Sequence, residues 1–257
     1  GRYMADSDFV PMPTKGLTTD AYLDQRAALL SGDDALPEVA PGSPEWDHAM
    51  LWADDESLEL PSTSHISIVD QYGNALSMTT TIESSFGNGV MVRGFLLNNE
   101  LTDFSFDFED AEGNPIANRV EPNKRPRSSM SPTIVFDEEG DVELVTGSPG
   151  GSRIIGYTAQ SIMNVRHFGL DPQEAINVPH FQNRNSYTEL EDPIPGVTID
   201  YDAEALADQL RNSYGYSDVR VQAMTSGLSN IQVVESDYEK PGKGRGKGPK
   251  QKNTILV

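Results

Sequence analysis

Residues 65–81 hold two β-rich runs, His65-Ile66-Ser67-Ile68-Val69-Asp70 and Ala75-Leu76-Ser77-Met78-Thr79-Thr80-Thr81, around Gln71-Tyr72-Gly73-Asn74. Branched and hydroxyl side chains flanking a Gly-Asn turn read as a β-hairpin. The pattern returns at Pro132-Thr133-Ile134-Val135-Phe136, turn Glu138-Glu139-Gly140-Asp141, then Val142-Glu143-Leu144-Val145-Thr146. Two hairpins commit the chain to antiparallel sheet, and a sheet needs a covering layer. Helices able to supply it are legible. An apolar-periodic run goes from Ile154 to about Phe168. Asp171 caps a second helix with Pro172 at its first position, and a third follows Asp202 with Leu206 and Leu210 on its apolar side. Near the start, Asp20 is read as the cap of a run in which Leu23, Ala27, Leu29 and Leu30 share a face. No internal repeat is evident. The expectation is an α+β fold.

The chain changes texture at residues 62–63. Before it lies a Pro- and acid-rich stretch from Leu36-Pro37 to Leu60-Pro61, read as a mobile connector; after it the β-rich pattern begins. Two regions follow, 1–62 and 63–257. With 257 residues, 37% of them hydrophobic, the chain can bury one large core or two small ones. No apolar run approaches the roughly 18 needed to span a membrane, and no leader is read at Gly1-Arg2-Tyr3-Met4. Cysteine is absent, which excludes disulfides, thiolate metal sites and a cysteine nucleophile. A net charge of −21 argues against nucleic acid as a partner. Lys240, Lys243, Arg245, Lys247, Lys250 and Lys252, interleaved with glycines, read as a flexible basic loop.

Thr63 stands where the connector meets the first strand. A threonine hydroxyl needs a base to lose its proton, and one solution makes the threonine a new N-terminus whose own α-amine is that base. On composition alone, Thr63 is just a strand-edge threonine. Gly150-Gly151 opens a helix directly after a strand, where free N–H groups can hold an oxyanion or simply make a tight turn. Ser128-Ser129 could grip a carboxylate or be plain loop. Glu100 and Asp103, three apart, could hold an ammonium group or cap a turn. His48, His65, His167 and His180 lack metal-ligand spacing.

Four ordered stretches carry a resemblance. Thr63-Ser64-His65-Ile66-Ser67-Ile68-Val69-Asp70 with Gly73-Asn74-Ala75, Leu96-Leu97-Asn98-Asn99-Glu100-Leu101-Thr102-Asp103-Phe104, Pro122-Asn123-Lys124-Arg125-Pro126 with Ser128-Ser129-Met130-Ser131-Pro132, and Thr146-Gly147-Ser148-Pro149-Gly150-Gly151-Ser152-Arg153-Ile154 resemble, in register, the small subunit of the γ-glutamyltranspeptidases. Residues 1–62 are similar to the end of the large subunit, and 63–257 to the small subunit without its last strand. The resemblance implies an N-terminal-nucleophile hydrolase, a four-layer αββα sandwich, that cleaves itself and moves the γ-glutamyl group of glutathione-like amides to water, amino acids or peptides.

Carried over by position, Thr63 is the self-cleavage and acyl-enzyme nucleophile, and Thr81 the threonine that hydrogen-bonds it. Gly150 and Gly151 form the oxyanion hole, Glu83, Glu100 and Asp103 hold the α-amino group, and Ser128 and Ser129 the α-carboxylate. No cofactor or metal is implied. The implied partners are γ-glutamyl small molecules and the rest of the large subunit, in a periplasmic or secreted setting. Three departures stand out. Positions 83 and 100 are acids where many members carry an amide. Residues 105–121, in the lid's place, hold aromatics only at Phe106 and Phe108. Members run several hundred residues further upstream, where an arginine for the α-carboxylate lies. The rival readings are a related acylase (cephalosporin, glutaryl or poly-γ-glutamate type) and an inactive fragment of the fold.

Overall fold

The computed structural model describes residues 3–30, 32–36, 39–45, 52–53, 55, 63–197, 199–234 and 251–254. Most of the connector, including Ser62, and the basic stretch up to Lys250 lie outside the described residues.

The first hairpin forms as read. Strands β1 (Thr63–Val69) and β2 (Ala75–Thr81) pair antiparallel from Thr63↔Thr81 at the open end to Val69↔Ala75 at the turn. The turn is organised by Asp70. Its carboxylate accepts from Tyr72 N at 2.8 Å, Asn74 N at 2.9 Å and Asn74 Nδ2 at 2.8 Å, while Gly73 takes φ 85°. The same device recurs twice. Asp110 accepts from Glu112 N, Asn114 N and Asn114 Nδ2, with Gly113 at φ 83°. Asp137 accepts from Asp141 N at 2.8 Å, with Gly140 at φ 85°. Asp-x-x-Gly-Asn/Asp is thus a turn used three times: a side chain that mimics a backbone turn, then a residue free to take positive φ.

A small hairpin, β3 (Met91–Val92) and β4 (Phe95–Leu96), follows. The second predicted hairpin is β5 (Thr133–Phe136) and β6 (Val142–Gly147), with a register shift at Val135/Phe136. Later elements are α2 (Ile154–Arg166) and α3 (Pro172–Asn177), preceded in the chain by α1 (Asp20–Ala27), then β7 (Phe181–Asn183) and β8 (Thr188–Asp192). They continue with α4 (Ala203–Ser213), β9 (Val219–Ala223), β10 (Asn230–Val234) and β11 (Gln251–Thr254).

The core sheet runs β11-β10-β6-β5, antiparallel throughout. Helices α2 and α3 pack on one face and the β1–β2 hairpin lies against the other. Leu144 and Ile231 meet Ala175 and Ile176 on the helix side, with Ile162, Val165 and Leu170 around them. A second sheet, β7-β8-β9, has β8 and β9 parallel, and α4 is the crossover between them. Leu206 and Leu210 pack there against Leu190, Ala207 and Val219, as their spacing predicted.

The cap at Asp171 forms as read, and the helix after Asp202 proves to be capped by that residue. Asp171 makes a full capping box with Glu174, and Asp202 accepts from Ala205 N at 2.9 Å. Asp20 does not cap: Thr19 holds that position without a side-chain bond, and Asp20 is the first helical residue. That helix and the 3-10 turn after it, Ala28–Leu30, bury no residue, and Leu23, Leu29 and Leu30 are exposed rather than forming an inward face. The β1–β2 hairpin is inverted in character. Its small and polar residues, His65, Ser67, Ser77 and Thr79, face the core sheet, while Ile66, Ile68, Leu76 and Met78 are exposed on the other face.

Gly73→Ala should cost about 1–2 kcal/mol, because a Cβ at positive φ crowds the following carbonyl. Urea denaturation of the two proteins measures it, and an unchanged midpoint would contradict the turn described.

Candidate active site

The hairpin's inward face sets the site. A Cβ built on Gly147 would lie 2.2 Å from the His65 ring, so the imidazole occupies the space a side chain at 147 would need. Both ring nitrogens meet hydroxyls, Nδ1 with Thr79 Oγ1 at 2.7 Å and Nε2 with Ser67 Oγ at 3.0 Å. Ser77 Oγ donates to Thr146 O at 2.9 Å. These contacts fix the end of β1 over the end of β6. Thr63 is two residues from His65 on the same face of β1, opposite Thr81.

From β6 the chain enters Ser148-Pro149-Gly150-Gly151. Gly150 has φ 137° and Gly151 φ 57°, and the 3-10 turn Gly151–Arg153 leads into α2. Thr133, at the start of β5, pairs with Thr146 near the end of β6. The Ser128-Ser129 loop and the glycine turn therefore leave the core sheet at one end, where His65 also holds the head of β1.

A hydrogen-bonded path joins the other predicted residues. Thr81 Oγ1 accepts from Glu83 N at 2.8 Å, and Glu83, 3% exposed, sits at φ 71°. A non-glycine residue in that region marks a conformation imposed by its surroundings. The Glu83 carboxylate accepts from Ser84 Oγ at 2.7 Å and from Asn99 Nδ2. Asn99 leads into a 3-10 turn, Glu100–Asp103, whose three-residue period puts Glu100 and Asp103 on one side. Asp103 is buried, and its carbonyl accepts from Asn118 Nδ2 at 2.8 Å. Asn118 Oδ1 accepts in turn from Arg127 N at 2.9 Å, next to Ser128. The three acids and the serine pair are thus tied together; Ser128 is exposed and Ser129 half-buried.

Sequence reasoning missed Asn118, Arg127 and Asp55. Arg127 Nη1 meets Asp55 Oδ2 at 3.0 Å, and both side chains are almost wholly buried. Asn118 Nδ2 also donates to Asp55 Oδ2, across 63 positions of sequence. Ala53, beside it, bridges in parallel to Ile116. This part of the predicted mobile connector is docked, held by a buried ion pair that no local pattern announces. On the same loop, Arg125 binds Asp6 through Nε at 2.9 Å and Nη2 at 2.8 Å, holding the Asp6 carboxyl well below the usual carboxylate range. Within 105–121, Ile116, Ala117 and Asn118 are buried, whereas Phe106 and Phe108 are exposed. Among the described residues no group of three or more His, Asp or Glu could hold a metal ion, and no helix is long and apolar enough to cross a membrane.

The family model described as Gamma-glutamyltranspeptidase matches residues 1–248. The chain belongs to the γ-glutamyltranspeptidase family. A glutathione hydrolase proenzyme of Bacillus subtilis (strain 168) is 35% identical over 246 residues, 92% of this chain and 38% of that protein. One from Escherichia coli (strain K12) is 41% identical over 191 residues, 71% of this chain and 31% of that protein. The chain thus spans well under half the length of these curated relatives. The crystal structure of the Helicobacter pylori γ-glutamyltranspeptidase T380A mutant superposes with a TM-score of 0.57 at 33% identity, covering 74% of this chain and 97% of that one. A cephalosporin acylase from Bacillus halodurans shares the fold, with a TM-score of 0.67 at 22% identity over 91% of this chain and 37% of its own. The fold is that of the N-terminal-nucleophile hydrolases.

Two outcomes test this geometry. Asp55→Ala should cost about 3–5 kcal/mol in urea denaturation, the usual loss when one partner of a buried pair is removed, with most of it recovered in Asp55→Ala/Arg127→Leu. Burial pushes the His65 imidazole down to about 4. The unfolded chain, with a histidine near about 6.5, takes up the proton first. The His65 contribution is therefore full above about pH 6.5 and is lost as pH falls through about 4. Denaturation midpoints at pH 7 and pH 5 should differ less in His65→Gln than in the parent; His180, which burial also holds low, and carboxyls held below their ordinary values, such as Glu189 and Glu191, keep part of the slope.

Proposed function

We propose that this chain is the catalytic part of a self-cleaving γ-glutamyl acyltransferase and hydrolase with Thr63 as nucleophile. The observation that carries the reading is the placing of Thr63 at the head of β1, opposite Thr81, beside the strand end that runs into Gly150-Gly151. Cleavage between Ser62 and Thr63 would free the Thr63 α-amine. Its ordinary pKa of about 7.7–8.0 lets it accept the hydroxyl proton near neutrality. Thr63 Oγ would attack the γ-carbonyl carbon of the donor, and the Gly150 and Gly151 amides would receive the oxyanion. The ammonium so formed would return its proton to the departing amine. Water or an acceptor amine would then open the Thr63 ester by the same steps in reverse.

Substrate orientation follows from charge. Glu83, Glu100 and Asp103 form an acidic group suited to an α-ammonium, and the Ser128 and Ser129 hydroxyls suit an α-carboxylate. Glutathione is the donor that the names of the curated relatives support. The proenzyme of Acylase ACY 1 from a Pseudomonas species (strain SE83) is 30% identical over 230 residues, so an acylase is the competing reading, and we take a glutaryl-type donor as its test case. Three acids around a donor lacking the amine would repel its carboxylate, which favours the γ-glutamyl group.

Intact mass of the full-length gene product beside Thr63→Ala tests the nucleophile. Two fragments meeting between Ser62 and Thr63, and a single uncut chain in the variant, are expected. A folded wild type that stays uncut would end the reading. Turnover of γ-glutamyl over glutaryl anilide by the processed enzyme should be at least about tenfold, on the order of one charge interaction in a partly buried site.

A further inference from the structure

Behind the Gly150-Gly151 turn lies a buried polar assembly that neither the nucleophile nor the substrate contacts use. Tyr157, on the first turn of α2, is fully buried. Its ring closes against Gly150: a Cβ built there would stand 3.0 Å from Tyr157 Cε2 and 3.2 Å from Cδ2. The phenol oxygen is 2.7 Å from Thr225 Oγ1. Thr225 Oγ1 lies 3.1 Å from Glu191 Oε1, to which its hydroxyl donates. The Thr225 hydroxyl has one proton, so Tyr157 donates to Thr225 and Thr225 donates to Glu191.

Glu191 is the anchor. Oε1 also accepts from Thr225 N at 2.8 Å and Ser226 N at 2.9 Å, and Oε2 from His180 N at 3.0 Å and Ser226 Oγ. Burial pushes this carboxyl up, but the bonds from Ser226, Thr225 and His180 hold it below its ordinary value, so it stays ionised. The His180 ring meets Tyr157 edge-on, with centroids 5.7 Å apart. Held at its hydroxyl and at its edge, the Tyr157 ring has one seat, and that seat is the floor of the glycine turn. Gly150, at φ 137° and ψ 13°, has no side chain of its own to fix the direction of its peptide.

The geometry points to Tyr157, oriented by Thr225 and Glu191, as a positioning residue that sets the aim of the Gly150 and Gly151 amides. This rests on the proposed role of those amides as oxyanion donors. Donors of this kind act only when held within a fraction of an ångström of the developing charge.

The test uses the full-length processed enzyme with a γ-glutamyl anilide, measuring kcat, KM and active-site content by covalent titration. Tyr157→Leu, which removes the floor, should lower kcat per titrated site by about a hundredfold, the cost of roughly 1 Å of misplacement, with KM within about twofold. Tyr157→Phe keeps the ring but releases it from Thr225, and should lower kcat by about tenfold. A structural role alone would reduce the yield of folded or titratable sites and leave kcat per site untouched. The inference falls if Tyr157→Phe and every titratable Tyr157→Leu site retain wild-type kcat within about threefold. If Tyr157→Leu does not fold, Tyr157→Phe decides alone. A wild type that titrates but turns over no γ-glutamyl donor overturns the functional reading and takes this inference with it; an active wild type with unaffected variants overturns this inference only.

Discussion

The seat of His65 on Gly147 is the contact on which the site depends. Two sheets can approach this closely only where one strand lacks a side chain, and here the missing Cβ is replaced by an imidazole from the other sheet. The contact lies two residues from Thr63 and three from Gly150. It therefore determines the spacing between a would-be nucleophile and a would-be oxyanion turn that belong to different sheets. The ring is neutral and bonded on both sides to hydroxyls, so it works as a spacer of fixed size and not as an acid or base.

Around that contact, several candidate site residues are held by neighbouring polar groups. Asn99 seats Glu83, and Asn118 links the Asp103 carbonyl to the Arg127 amide beside the serine pair. Arg153, just past the glycine turn, is bonded through Nε to Glu189 at 2.7 Å, and its carbonyl accepts from Gln182 Nε2 at 2.9 Å. Placing amides and carboxylates behind the site fixes loops that have little regular secondary structure of their own. A loop so tied gives up its freedom during folding and not when substrate arrives.

How much of this was legible follows from the range of each interaction. Both hairpins, the cap at Asp171 and the helix start after Asp202 were readable because each depends on side chains within a few residues. Asp20 misled because Thr19 sits one place earlier, and both residues suit a helix start. The candidate site residues were named through motif resemblance, and the local hydrogen bonds that hold them were not. Asp55, Asn118 and Arg127 were not, since their pairing spans the chain and polar residues in a loop otherwise read as solvated. Tyr157 and Glu191 were hidden for a similar reason: one looked like a helix core residue, the other like a strand polar residue, and only the fold brings them together.

The outward face of the first hairpin has a consequence for how the protein behaves in solution. Ile66, Ile68, Leu76 and Met78 expose a contiguous apolar surface on the strands that carry Thr63 and Thr81. Copies of this chain attract one another through that surface and repel through a net charge of −21. The repulsion reaches about 10 Å at 0.1 M salt and about 3 Å at 1 M, whereas the attraction does not weaken with salt. Self-association of this stretch is therefore expected to rise with ionic strength, because screening shortens the repulsion while the apolar attraction persists.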